Sequence, residues 1–180
     1  KVGDEVTLHL DEERRKRISR AHSACHLLQS ALKEVLGDHV SQAGSYVTDG
    51  VCRFDLTHFE KIKLDDLRKV ERLVNEKIDA SLESNIRELP IEEAKKLHAT
   101  ALFDKKNCDV VKVESVSEYS TEFCGGCHVS NTSDIGMFII DSEESISSGV
   151  RRIEARVGLG AYEFVNARRD MFESVCNDLQ

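Results

Sequence analysis

Residues 11–37 read DEERRKRISRAHSACHLLQSALKEVLG and carry the strongest structural pattern of the chain. Asp11 is a typical N-cap, and the two glutamates after it suit the positive end of a helix dipole. Apolar side chains then recur at helical spacing until Gly37 ends the pattern. This apolar stripe consists of Ile18, Ala21, Cys25, Leu28, Leu32, Val35 and Leu36. The stretch therefore predicts one long helix that packs through the stripe.

Shorter patterns follow the helix. Asp49-Gly50 is a strong hairpin dipeptide and predicts two short strands over 47–57, with Cys52, Phe54 and Leu56 on the buried face. We predict further helices over about 64–82, from Pro90 through Leu97, and over 161–176. The remaining strand candidates are 6–10, 86–89, 109–115, 118–123, 137–141 and 150–157. These patterns predict a single α+β domain with a mostly antiparallel sheet, packed with a long metal-bearing helix and further helices.

Composition limits the classes of function. The 180 residues fit one domain, and 40% apolar residues with a single proline exclude disorder and fibres. No run approaches the roughly 18 apolar residues of a membrane span, and the first residues lack the apolar core of a secretory signal. We therefore expect a cytoplasmic protein without a membrane partner. The net charge of -8 argues against a dedicated basic clamp for nucleic acid.

Six cysteines and seven histidines are many for such a chain, and without export we expect thiols or metal ligands, not disulfides. His22 and His26 are four residues apart, so both imidazoles lie on one helix face; two ordinary surface histidines are the alternative. Cys124-Gly-Gly-Cys127-His128 places two thiols and an imidazole around a glycine pair after a predicted strand, and a turn with incidental cysteines is the alternative there. The two clusters together predict a tetrahedral zinc site, because thiolate and imidazole are the ligands that zinc prefers.

Five motifs, in order along the chain, resemble the editing domain of alanyl-tRNA synthetases, which threonyl-tRNA synthetase and freestanding trans-editing proteins share in outline. The motifs are HSACHLL at 22–28, SQAGS at 41–45, RFDLTHF at 53–59, FCGGCHV at 123–129 and GVRRIEA at 149–155. RFDLTHF and GVRRIEA favour the alanyl branch. The resemblance extends over nearly the whole chain. It divides the chain into the end of a preceding β-barrel (1–10), the zinc-dependent editing domain (11–160) and a helix leading to the rest of a synthetase (161–180).

The resemblance implies the site residues by position. The implied zinc ligands are His22, His26, Cys124 and His128. The implied catalytic residues are Gln42 and Ser45, which orient the acyl group or the water, and Arg151, which holds a phosphate or the oxyanion. A charged strand face paired with Glu154 is the alternative for Arg151 and Arg152. The implied substrate pocket includes Cys25, Gly125 and Gly126.

The implied activity is that of an aminoacyl-tRNA deacylase. It hydrolyses the ester of tRNA(Ala) mischarged with serine or glycine, while the parent enzyme attaches alanine to tRNA(Ala) with ATP. Two alternatives stay open: a non-catalytic structural zinc module of a synthetase, and a freestanding trans-editing hydrolase.

The chain departs from the family at two positions, because Cys25 and Cys127 stand where the family has threonine. Cys127 could replace His128 as ligand and give a closed Cys2His2 site. We expect the other cysteines, Cys52, Cys108 and Cys176, to be packing residues.

Overall fold

A computed structural model of the chain describes residues 2–97 and 109–179, and its longest element is helix α1 (Glu12–Leu36). The Asp11 side chain accepts a hydrogen bond of 3.0 Å from the backbone N–H of Arg14, as an N-cap does. The Gly37 N–H donates to Lys33 at the other end, with a φ of 108° that glycine adopts readily. The predicted long helix is thus confirmed at both ends.

The other elements alternate between strands and helices. In chain order they are β1 (Gln42–Thr48), β2 (Val51–Thr57), α2 (Leu64–Asp79), β3 (Ser84–Pro90), α3 (Ile91–Lys96), β4 (Val110–Val116), β5 (Ser120–Phe123), β6 (Phe138–Ser147), β7 (Val150–Val157) and α4 (Leu159–Asp178). A short 3-10 helix spans Thr132–Ile135.

The strands form two antiparallel sheets, with the orders β1-β2-β7-β6 and β3-β4-β5. The α+β class is therefore confirmed, although the strands divide between two sheets. The β1–β2 hairpin turns at Asp49-Gly50 as predicted. β1 begins earlier than predicted, at Gln42, and β6 continues past the predicted end at 141 as far as Ser147. The added part of β6 is mostly exposed and polar, so it lacks the apolar alternation on which the prediction depended.

The main core lies between the first sheet and helices α1 and α2. β2 contributes Cys52, Phe54 and Leu56, each at most 1% exposed, so the predicted buried face is confirmed. β7 contributes Ile153, Ala155 and Val157, and α2 contributes Val70, Val74 and Ile78. A second, smaller core holds Ala94 of α3 against Val111 and Val113 of β4. The second sheet thus has α3 on one face, which leaves its other face for α1.

The predicted strand at 6–10 is wrong. These residues are exposed and carry no strand hydrogen bonds, and in the described part of the chain no other strand pairs with them. Apolar alternation alone does not make a strand when no neighbour satisfies its backbone groups. Within the same described ranges, no helix is both long and apolar enough to cross a lipid bilayer.

The cysteines depart from the expectation of free thiols and metal ligands. Cys25 of α1 and Cys52 of β2 form a disulfide with Cα atoms 6.1 Å apart, and both side chains lie in the main core. The expectation is therefore wrong for this pair, because the packing of α1 on β2 brings together two cysteines 27 residues apart. Cys124, Cys127 and Cys176 are free. The prediction for Cys108 concerns a residue outside the described ranges.

Candidate metal centre

Helix α1 and the segment after β5 contact each other, and their contact brings the predicted metal-binding side chains together. His22 and His26 are one helical turn apart on the face of α1 that is turned toward this segment. The Cys124 N–H donates to the backbone oxygen of Lys112, which fixes where the segment leaves the second sheet. The Val129 N–H donates to Ser23 Oγ over 3.1 Å and ties the other end to α1. Residues 124–128 are thus held at both ends against the helix.

The structure brings the four predicted metal ligands together. One ligand atom from each of His22, His26, Cys124 and His128 lies within 4.8 Å of every other. Cys124 Sγ is 3.5 Å from His22 Nε2 and 3.3 Å from His128 Nε2. The imidazole centres are 4.2 to 5.3 Å apart. We call these four residues the His3Cys cluster.

The two glycines between Cys124 and Cys127 differ in the space that surrounds them. A side chain at Gly126 would overlap the His22 ring, whereas a side chain at Gly125 would meet no atom within 4 Å. Gly126 is therefore required for the backbone to approach His22 so closely, while Gly125 lies in open space beside the cluster.

The cluster shifts the pKa of two of its members. Burial acts to raise the pKa of the Cys124 thiol, but hydrogen bonds with His128, His22 and His26 outweigh it and lower the pKa from 9.0 to about 3. For His26, burial disfavours the charged imidazole. The neighbouring Cys124, Glu114 and Glu122 nevertheless raise the pKa of His26 well above its usual value. The cluster thus favours a thiolate beside imidazole groups.

Two buried carboxylates contact the imidazoles, and neither was predicted from the sequence. His26 Nδ1 is 2.6 Å from Glu122 Oε2, and His128 Nδ1 is 3.1 Å from Glu114 Oε2. Glu114 and Glu122 are each 2% exposed and stand directly opposite each other in β4 and β5. Carboxylates that bind the outer nitrogen of an imidazole fix the orientation of a metal-binding ring, and Glu122 stands in this position to His26. Glu114 lies between two rings, since its Oε2 is also 3.0 Å from His26 Nε2. A signal existed in the sequence: folding 114–122 as a hairpin places the two glutamates opposite each other.

The donor set fits a zinc ion. Three imidazoles and one thiolate form a ligand set that zinc takes in tetrahedral geometry. His26 Nε2 is buried and has no hydrogen-bond partner among the described residues, although Glu114 Oε2 lies 3.0 Å away. A buried nitrogen without a partner is costly, and a bound cation would satisfy it.

Cys127 is outside the His3Cys cluster. It lines a separate cavity of about 330 Å³ together with Leu10, Arg14 and Arg15 at the start of α1. The arrangement with Cys127 in place of His128 is therefore not the one that this structure adopts.

The predicted catalytic residues lie on β1 and β7 of the first sheet. Gln42 Nε2 donates to Ser45 Oγ over 2.8 Å, and Ser45 is exposed at a position opposite Phe54. Arg151 Nε donates to Glu143 Oε1 over 2.5 Å, and both side chains are largely buried. In the described ranges, no hydrogen bond or ion pair joins Gln42, Ser45 or Arg151 to the cluster. The alternative pairing with Glu154 is not formed by either arginine, since Arg152 binds Asp55 through two hydrogen bonds.

The predicted pocket residue Cys25 is 5% exposed and bonded to Cys52. The structure therefore places its sulfur in the core and not in the cluster. Gly125 and Gly126, the other two predicted pocket residues, do adjoin the cluster.

The chain is similar in sequence to proteins of known family. Residues 108–154 match the family described as the threonyl and alanyl tRNA synthetase second additional domain. The chain is 51% identical over 173 residues to the alanine–tRNA ligase of Carboxydothermus hydrogenoformans. It is 49% identical over 178 residues to that of Clostridioides difficile and 47% identical over 178 residues to that of Bacillus subtilis. These matches include 96% to 99% of this chain but 20% of each relative.

The chain spans about one fifth of the length of these curated relatives. The family match begins at residue 108 and ends within β7, so it includes Cys124 and His128 and both buried glutamates. Residues 108–154 therefore belong to the family of the threonyl and alanyl tRNA synthetase second additional domain, and over its whole length the chain corresponds to one region of the alanine–tRNA ligases.

Proposed function

We propose that this chain is the editing domain of an alanine–tRNA ligase and hydrolyses mischarged Ser-tRNA(Ala) and Gly-tRNA(Ala). Water adds across the ester and yields the free amino acid and the hydroxyl of the terminal ribose. The observation that carries the proposal is the convergence of three imidazoles and a thiol within 4.8 Å, in a chain related to alanine–tRNA ligases.

A synthetase that selects alanine has a physical need for such a site. One missing methyl group is worth only about 1 to 3 kcal/mol of discrimination, so a pocket for alanine admits glycine. An added hydroxyl is also rejected weakly by an apolar pocket, so serine enters as well. A second site that hydrolyses the wrong products restores accuracy.

The His3Cys cluster is proposed to hold a zinc ion. Bound zinc supplies a Lewis acid that polarises an oxygen or binds an amine of the substrate. Glu122 orients His26 and Glu114 orients His128, because each carboxylate contacts the Nδ1 atom of its ring. Glu114 also lies 3.0 Å from His26 Nε2 and would add negative charge beside a bound cation. The open space beside Gly125 admits the acyl group.

The roles of the other residues are proposals of the same kind. Gln42 and Ser45 share a hydrogen bond on β1, where an amide and a hydroxyl can orient the acyl group or the water. Arg151 pairs with Glu143 through Nε, and the further N–H donors of its guanidinium can contact a phosphate or the oxyanion. Cys25 can contact substrate only after reduction of its disulfide.

We propose that the rest of a synthetase delivers the tRNA end and carries the ATP-dependent attachment of alanine, in the cytoplasm. This proposal is supported by the lengths of the relatives, because the chain matches only 20% of each one. A chain with a net charge of -8 binds RNA weakly by itself, which favours delivery by a larger enzyme. The same reasoning disfavours a freestanding hydrolase.

The test compares two cysteines of one loop. Cys124→Ala removes a cluster residue, while the matched control Cys127→Ala removes a thiol outside the cluster. We expect the wild type and Cys127→Ala to bind zinc and to deacylate Ser-tRNA(Ala) or Gly-tRNA(Ala), with Ala-tRNA(Ala) as the reference substrate. Cys124→Ala should lose both properties. Zinc content and ester half-life are the measurements.

One observation favours a second function. Four protein ligands close a zinc site, and closed sites are usually structural. If the zinc-loaded chain hydrolyses neither mischarged tRNA, even at saturating concentration, the deacylase proposal is wrong and the structural module remains. Equal loss of zinc in Cys127→Ala and Cys124→Ala would reject the assignment of the cluster.

A further inference from the structure

The first turns of α1 are strongly basic in an otherwise acidic chain. Residues 12–20 contain five basic side chains and two acidic ones, whereas the chain as a whole has a net charge of -8. Lys16 pairs with Glu13 at 2.9 Å, and Arg17 pairs with Asp49 at 3.4 Å. Arg14, Arg15 and Arg20 have no ion-pair partner within residues 2–97 and 109–179. We call these three arginines the basic face.

The basic face borders the metal centre. Arg15 and Arg20 line a cavity of about 630 Å³ that His128 of the cluster also lines. Arg14 and Arg15 line the neighbouring cavity of about 330 Å³ with Cys127. Arg15 is thus shared by the two cavities, which lie along residues 127 and 128. An extended polymer that bound along both cavities would have its end beside the His3Cys cluster.

Each cavity is lined by one more basic than acidic side chain. Arg14 and Arg15 line the smaller cavity together with Asp11. Two acidic residues, Glu12 and Asp134, line the larger cavity along with Arg15, Lys16 and Arg20. Arg20 is half-buried, and its stem lies against Gly158, where an added side chain would come within 3.6 Å of its Cδ. The guanidinium is therefore partly fixed before any partner binds, which lowers the entropic cost of a contact.

We propose that Arg14, Arg15 and Arg20 bind the backbone phosphates of a single-stranded RNA 3′ end whose terminal ester lies at the metal centre. The inference rests on the proposed function. A guanidinium fits a phosphate through two parallel hydrogen bonds and stays charged at any physiological pH. Exposed Leu10 borders both cavities and offers an apolar contact to a base.

The first measurement is the binding of an uncharged RNA hairpin with a single-stranded 3′ end, followed by fluorescence anisotropy over a range of salt concentrations. Arg15→Ala with Arg20→Ala should weaken binding at least tenfold. It should also reduce the slope of log K against log salt by about 1.4, since each single-strand phosphate contact contributes about 0.7. The matched control, Arg87→Ala with Arg169→Ala, removes the same charge from exposed positions of β3 and α4 and should leave the slope unchanged.

The second measurement separates this inference from the proposed function. The double arginine variant should lower kcat/KM for serylated RNA at least tenfold, mainly through KM, and leave the hydrolysis of seryl-adenosine, which has no phosphate, unchanged. If the wild type hydrolyses neither ester, the proposed function fails, while the anisotropy result still decides the role of the arginines. Equal weakening by the control variant, or an unchanged salt slope in the arginine variant, would overturn the inference.

Discussion

Position 126 has no room for a side chain larger than that of glycine, because the His22 ring occupies the space that a Cβ atom would take. We predict that Gly126→Ala displaces His22 and lowers zinc affinity by roughly 10- to 100-fold, the range seen when the support of a metal ligand is lost. Competition with a chromophoric chelator measures this affinity.

Gly125→Ala is the matched control, since its added methyl group meets no atom within 4 Å. Its zinc affinity should equal that of the wild type. If the two alanine variants bind zinc equally well, the close approach of the loop to His22 does not exist in solution.

We predict that the ionisation of Tyr119 lowers the stability of the protein at alkaline pH. Burial, together with the neighbouring charge of Glu34, raises the pKa of Tyr119 from 10.0 to about 12. Between these values the unfolded chain has lost the phenol proton and the folded chain has kept it, so stability falls as pH rises above 10. The expected loss is on the order of 1 kcal/mol, because the group is half-buried and solvent screens it.

Urea unfolding at about pH 8 and about pH 11 measures this loss, and Tyr119→Phe should reduce it. A Tyr119→Phe protein with the same alkaline loss as the wild type would assign the effect to other groups. The Lys77 ammonium, 4.4 Å from the ring centre, keeps its contact in the phenylalanine variant.

At the scale of elements, helix α2 covers the free edge of β6 with side chains. Asn75 donates to the Phe138 oxygen over 2.8 Å and accepts from the Phe138 N–H over 3.1 Å. Glu71 accepts from the Ile140 N–H over 2.6 Å. We predict that Asn75→Ala lowers the free energy of unfolding by about 2 kcal/mol, since two partly buried backbone groups lose their partners. Denaturant titration measures the change.

Arg72→Ala serves as the control on the same helix, because Arg72 is exposed and its pairing with Glu76 is a surface contact. It should change the free energy of unfolding by less than about 0.5 kcal/mol. If Asn75→Ala lowers the free energy of unfolding no more than Arg72→Ala does, water replaces the Asn75 amide as the hydrogen-bond partner of β6.

The elements with a strong local pattern were predictable from the sequence. The bounds of β7 agree with the prediction at both ends, and α1 has the cap and stop residues expected of it. β6 was predicted too short because its second half is mostly polar and exposed and so lacks apolar alternation. The strand at 6–10 was predicted wrongly because a strand depends on a neighbour that its own residues do not encode.

The grouping of the four His3Cys residues was predictable from the sequence, but the carboxylates beside them were not. His22, His26, Cys124 and His128 were found because zinc ligands are of few residue types at characteristic spacings. Glu114 and Glu122 were missed because a glutamate in a strand is usually exposed, and its burial becomes evident only when β4 and β5 pack on α1. The pairing of Cys25 with Cys52 likewise depends on how a helix packs on a strand.

At the scale of the whole molecule, the metal centre joins the two sheets. α1 packs on the first sheet, and residues 124–128 follow β5 of the second. We predict that zinc at about 100 times its dissociation constant stabilises the fold by about 2.7 kcal/mol and raises Tm by about 5 to 10 °C. Differential scanning fluorimetry with zinc or a chelator measures this shift.

Cys124→Ala should show no zinc-dependent shift in Tm, while Cys127→Ala should behave like the wild type. A zinc-dependent shift that persists in Cys124→Ala would mean that the ion stabilises the fold from another site.

The strand order of the first sheet has a consequence for the synthesis of the chain. β7 lies between β2 and β6, so the inner edge of β2 finds its partner only after residue 157 has been made. Until then the nascent chain carries the β1–β2 hairpin with one open edge, although α1 has already been made and can cover its apolar face. Open strand edges recruit other strands. The interval between the synthesis of β2 and that of β7, about 100 residues, is therefore when this chain most needs a chaperone.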